Sequence, residues 1–158
     1  MQDRDRDERG RARNARPRDA LGRPLAHGEI GVSPWPEQTD LPPEQSLETA
    51  QQLLDRGRPF QAHEVLEAAW KSAPGTERAL WQGLAQLAVG VTHAARGNPR
   101  GATTLLERGA AAIAPFHDAP PHAVDVPGLL AWTSAGLDRL ASAGDAPVAL
   151  DAPRLRRS

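Results

Sequence analysis

The sequence predicts an all-α fold: a compact bundle of about five helices joined by tight turns, some of them paired as hairpins. Two observations carry the prediction. Apolar residues between positions 44 and 143 recur at helical spacing. Gly and Pro fall in pairs between those stretches, as Gly57-Arg58-Pro59, Pro74-Gly75 and Gly97-Asn98-Pro99, where they end one helix and open the next.

The elements follow in order. Residues 1–45 hold six prolines and no apolar periodicity, and read as an extended N-terminal arm. Leu47, Ala50, Leu53 and Leu54 begin the first helix, with Ser46 as its expected cap and Gly57 as its stop. Pro59 starts a second helix that runs to about Ser72. Thr76 is the expected cap of a third, which extends to about Arg96. Pro99 opens a fourth, with Ala102, Leu105, Leu106, Ala110 and Ile113 on one side. A Pro-rich loop follows. Pro127 then opens a fifth helix with Leu130, Thr133, Leu137 and Leu140 in line. The helical domain is 46–143, and 144–158 reads as a C-terminal tail. The pattern Arg56-Gly57-x-Pro59-x-x-Ala62-x-x-x-Leu66-Glu67 recurs 40 residues later as Arg96-Gly97-x-Pro99-x-x-Ala102-x-x-x-Leu106-Glu107. Such a repeat fits tetratricopeptide-like helical hairpins, although their period is about 34. Any Gly-x-Pro turn between Ala- and Leu-rich helices would look similar.

Composition removes several classes of function. The 158 residues contain no cysteine, which excludes disulfides and thiolate ligands and suits a cytoplasmic protein. The formal charge of -1 provides no general attraction to nucleic acid or anionic membrane. No segment has the length and apolarity of a membrane span, and no secretory leader is readable. Neither a phosphate-binding Gly-rich loop nor a Ser/His/Asp arrangement is present. Arg exceeds Lys eighteen to one, the codon usage of a GC-rich bacterium. In the arm, Arg9, Arg11, Arg13, Arg16 and Arg18 offer one route to nucleic acid. The neighbouring Asp3, Asp5, Asp7 and Glu8 favour a solvated arm instead. Trp35 is placed to pin the arm to the core.

The candidate site comes from two helical wheels. On the second helix, His63 and Glu67 fall between Phe60, Leu66 and Trp70, all within about 60° of His63. The large apolar residues mark that face as the buried one. On the third helix, Leu80, Leu84, Leu87 and Val91 form one stripe, and Gln82, Gln86, Val89 and His93 the other, bounded by Arg78 and Arg96. With no Glu or Lys on the second stripe, both sides of this helix are expected to be covered. A buried imidazole, carboxylate or amide needs partners. The expectation is one shared polar pocket of His63, Glu67, Gln82, Gln86, His93 and Arg96, walled by Trp70 and by Trp81. His117 and His122 flank the Pro-rich loop and read as surface residues.

Phe60-x-Ala62-His63-Glu64-Val65-Leu66-Glu67-x-x-Trp70, then Gln82-Gly83-Leu84-x-Gln86, then His93-x-x-Arg96-Gly97-Asn98-x-x-Gly101-Ala102, resembles the prokaryotic domain-of-unknown-function family 309 (DUF309). The His-x-x-x-Glu-x-x-Trp hallmark lands on His63, Glu67 and Trp70. The resemblance spans roughly residues 46–115, and the Arg-rich arm resembles that of actinobacterial members. It implies an all-helical fold and supplies no activity.

Three functions stay open. His63, Glu67 and His93 are a familiar ligand set for a divalent metal such as zinc or iron, with Glu64 or Glu67 as a base toward bound water. The helical zinc pattern His-Glu-x-x-His is not matched, because Glu67 holds its fifth position. The same residues could bind a small ligand without metal, or form a hydrogen-bond network that only fixes helix register. The alternative is a non-catalytic interaction module of the helical-repeat type, and the third is nucleic-acid contact through the arm.

Overall fold

A computed structural model describes residues 41–157, so residues 1–40 of the arm, with its arginines and Trp35, lie outside the described residues, while residues 43–45, expected in the arm, are the first turn of α1. Five α-helices follow in order: α1 (Pro43–Asp55), α2 (Pro59–Ser72), α3 (Arg78–Ala95), α4 (Pro99–Ile113) and α5 (Val126–Ala143). Short 3-10 turns at Ala114–Phe116 and Pro121–Ala123 join α4 to α5. No strand occurs among the described residues, so the fold is the predicted all-α bundle.

The repeated Arg-Gly-x-Pro pattern produces one turn twice. Gly57 and Gly97 take positive φ, +72° and +76°, which glycine adopts without a Cβ penalty. Their amides donate to Leu54 and Ala94 carbonyls, and the next amides, of Arg58 and Asn98, reach back to Leu53 and His93. Both are Schellman closures with proline at the first position of the next helix. The expected hairpins are therefore α1–α2 and α3–α4.

Each helix packs chiefly on its neighbours in chain order, most closely α3 on α4 and next α2 on α3. Glycine permits the first approach: a Cβ on Gly109 would sit 2.7 Å from Leu87 Cδ2 and 2.8 Å from the Gly83 carbonyl oxygen. The core runs through Leu47, Leu66, Leu80, Trp81, Leu84, Leu87, Leu106, Ile113 and Leu129. α3 is central, with 11 of its 18 residues buried. No helix among the described residues is long and apolar enough to cross a membrane.

Two expected caps move. α1 starts at Pro43, so Ser46 sits buried one turn inside it. α3 is preceded by Glu77, not Thr76, and has no side-chain cap; the Glu77 carboxylate is engaged elsewhere. On α5 the buried line is Leu129, Thr133, Gly136 and Leu140, with Leu130 and Leu137 on its flanks.

Residues 144–158, expected as a tail, include a packed strap. After Gly144 the chain runs extended along the bundle, with Val148, Pro153 and Leu155 buried. The Val148 amide donates to the Ala94 carbonyl at 2.8 Å. The Asp125 amide donates to Leu155, the Arg157 amide donates to Ala123, and Val124 and Arg156 form an antiparallel bridge. A few apolar residues in an extended segment carry no helical period, so the wheel passes over them.

Candidate functional site

α2 buries a different face from the one its large residues suggest. The buried residues are Pro59, Gln61, Ala62, Val65 and Leu66, while Phe60, His63, Glu67 and Trp70 are half-buried on the shoulder. α2 packs against both α1 and α3. Small side chains let the helix axes approach there, and the large rings are left to the edge.

On that shoulder His63 and Glu67 meet one helical turn apart. His63 Nε2 lies 2.8 Å from Glu67 Oε2, with side chains 20% and 28% exposed. Lys71 Nζ is 3.5 Å from the other carboxylate oxygen. The His63 hydrogen bond holds the Glu67 pKa down at about 2; burial opposes it, and the His63 and Lys71 charges add to the lowering. Glu67 is thus an anion near neutral pH and accepts from Nε2–H. In the neutral ring this leaves Nδ1 as the bare acceptor. Nδ1 is buried and has no hydrogen-bond partner among the described residues. The ring leans on Phe60, centroids 5.4 Å apart at 51°. Further along α2, the Arg78 guanidinium stands 5.6 Å over the Trp70 ring.

The α3 stripe is less covered than expected. Gln82 is exposed, while Gln86, Val89, His93 and Arg96 are half-buried. His93 has its own partner: Asn98 Nδ2 approaches its Nδ1 at 3.1 Å, while Asn98 Oδ1 accepts from the Gly101 amide and caps α4. Asn98 thereby assigns the proton of neutral His93 to Nε2. Burial, and then the Arg96 charge, push the His93 pKa below its ordinary value.

His63 with Glu67 and His93 with Asn98 are therefore separate pairs. No group of three or more His, Asp or Glu side chains able to hold a metal exists among the described residues. The expected ligand set His63, Glu67 and His93 is not assembled, because the carboxylate already sits on Nε2 of its own histidine and the second imidazole is turned onto the turn before α4. Trp81, expected as a second wall, is fully buried, and its Nε1 donates to Glu77 at 3.3 Å.

The sequence reading missed a second histidine cluster. His117 is exposed as expected, beside Asp118. His122 is not: its side chain is 19% exposed and lies between two carboxylates. Nε2 is 2.8 Å from Glu77 and Nδ1 is 3.4 Å from Glu44, and the ring lies 6.0 Å from that of Trp81. His122 and Ala123 both take positive φ, 57° and 60°, a left-handed conformation costly for residues with a Cβ. A loop residue pairing with a helix start 45 positions earlier leaves no periodic trace. Both ring nitrogens are occupied, from opposite sides, so the cluster clasps α1, α3 and the loop together.

Residues 47–105 match the model of a family described as "Domain of unknown function (DUF309)". These residues form a DUF309 domain. Comparison with curated proteins and with solved structures returns no match. The DUF309 segment runs from α1 into α4 and includes His63, Glu67, Trp70, Gln82, Gln86, His93 and Arg96. It excludes the His122 loop, α5 and the strap.

Proposed function

We propose that the DUF309 domain binds a small polar ligand or chain segment that presents an N–H or O–H donor to His63 Nδ1. One observation carries this reading: a buried imidazole nitrogen whose partner is missing among the described residues, on a ring whose other nitrogen is fixed by an ionised carboxylate. An unsatisfied buried polar atom costs about 1–3 kcal/mol, which a bound donor would recover. The His122 cluster and the His93–Asn98 pair are satisfied internally at Nδ1, which is why His63 is preferred. Phe60 and Trp70 on the same half-buried shoulder offer apolar area beside the acceptor. A carboxylate holding a histidine by one nitrogen is also how a general base is oriented. A donor with a labile proton is thus the ligand class that the dyad suits.

The test separates binding from a structural network. Nitrogen NMR of the His63 ring is followed while methylammonium, methylguanidinium and acetamide are titrated in turn. A saturable shift at Nδ1 with at least one probe, absent in His63→Gln, is expected. In parallel, His63→Leu combined with Glu67→Leu is expected to match or exceed wild-type stability, because well-packed apolar residues often replace a buried polar pair without loss. A silent ring together with a double variant destabilised by several kcal/mol would make the pair purely structural.

A further inference from the structure

The shoulder that carries His63 combines a bare acceptor, two half-buried rings and, at one end, two cations. His63 Nδ1 is buried without a hydrogen-bond partner among the described residues, and its ring leans on Phe60. Two turns further along α2, the exposed Arg78 guanidinium stands 5.6 Å over the Trp70 ring. Lys71, beside Glu67, is 67% exposed. The start of α1 lies at this same end. The short turn at Gly57 folds α2 back along α1, and Glu44 of α1 and Glu77, next to Arg78, meet on His122. The described chain therefore begins, at Leu41, at the end of α2 that carries Trp70.

The sequence leading to Leu41 has the chemistry to match. Trp35 is the one aromatic residue among residues 1–40, and an indole N–H donates and cannot accept. Such a side chain suits an acceptor bordered by rings. Pro34 and Pro36 restrict the backbone on either side of it, which lowers the entropy lost on docking. Glu37 and Asp40 follow, and no Lys or Arg occurs from residue 24 to residue 55, so this stretch complements Lys71 and Arg78 in charge. Its reach is sufficient: the six residues from Trp35 to Leu41 span up to about 20 Å when extended, and His63 lies about 10 Å along α2 from Trp70. We propose that residues 33–37 of this chain dock on the α2 shoulder, with the Trp35 indole N–H donating to His63 Nδ1. Phe60 turns aside to uncover the nitrogen, and the indole takes its place against the imidazole. The proposal rests on the reading at His63 and names the chain segment that supplies the donor. An external donor must then compete with the chain's own arm.

The test uses the full chain. Trp35→Phe keeps a ring and removes the donor, Trp35→Ala removes both, and His63→Gln replaces the imidazole; circular dichroism of each establishes that it folds. In wild type the ring-nitrogen spectrum should show Nδ1 accepting a hydrogen bond, a signature lost in both Trp35 variants. Reciprocally, the Trp35 indole N–H signal, identified by its disappearance in Trp35→Phe, should move in His63→Gln. Methylammonium, methylguanidinium and acetamide are then titrated as probes and read at Nδ1. At least one should bind Trp35→Ala about tenfold more tightly than wild type, the factor expected when the arm fills the site about nine-tenths of the time. An Nδ1 signal indifferent to both Trp35 variants, with probes binding wild type and Trp35→Ala equally, would overturn the docking and leave the reading at His63 standing. An Nδ1 that responds neither to the Trp35 variants nor to any probe would remove both.

Discussion

Replacing Glu67 with Gln removes a charge and keeps the shape and an acceptor for His63 Nε2. The ordinary carboxyl value is 4.5 and the folded value about 2. At about 1.36 kcal/mol per pH unit, the gap of roughly 2.5 units sets an upper bound near 3.4 kcal/mol. The side chain is partly solvated, so screening reduces the expected contribution to about 1 kcal/mol. The folded value is depressed, so the unfolded chain binds more protons between the two values. The stabilisation is therefore complete above pH 4.5 and fades as pH falls toward 2. Urea denaturation of wild type and Glu67→Gln at pH 7, 5, 3.5 and 2.5 measures the difference directly. Wild type should lead by about 1 kcal/mol at pH 7 and 5, by less at pH 3.5, and by almost nothing at 2.5. A lead that stays constant to pH 2.5, or that is absent at pH 7, would refute the argument that this carboxylate holds the ring as an anion.

Four further variants have expected outcomes, three in the same denaturation assay and one also in the ring-nitrogen spectrum. Gly109→Ala should cost about 1–2 kcal/mol, since the added methyl meets a backbone carbonyl at 2.8 Å and helix propensity recovers only part of the loss; Gly75→Ala, with nothing within 4 Å, is the control. Asn98→Ala should lose about 1 kcal/mol with the α4 cap. Asn98→Asp should keep the cap yet remove the donor to His93 Nδ1, visible as a changed ring-nitrogen spectrum at nearly unchanged stability. Ala123→Gly should stabilise by about 0.5 kcal/mol, because relief of left-handed strain of about 1–2 kcal/mol exceeds the extra entropy that glycine gives the unfolded chain.

The helices and their turns were readable because their signals are local. Gly57-x-Pro59 and Gly97-x-Pro99 specify a closure and a restart within a few residues, and both closures occur. The face of α2 was misread because Phe60 and Trp70 outweigh Ala62 and Val65 on a wheel. A helix sandwiched between two others favours small residues at its contacts, and that is a property of the neighbours, not of the helix. The His63–Glu67 pair was legible from its spacing alone, and His93 was legible as a polar group on α3. The Asn98 partner of His93 was not, because two wheels carry no distances and a turn residue lies on neither. The His122 clasp and the strap's hold on α1 join residues some 45 to 104 positions apart, and the strap's hold on α5 joins residues 10 and 19 apart, none at a spacing that a helical wheel reads.

An array in which each helix leans on the next would be expected to melt from its ends, since losing a terminal element costs the middle little. Gln51 and Asp55 on the first helix are tied to Pro153, Arg154 and Leu155, so the first and last elements of this array stand or fall together. The line is closed into a loop, and gradual fraying becomes a single cooperative transition. A cut within residues 144–147 would reopen it, loosening α1 as much as the segment that was severed.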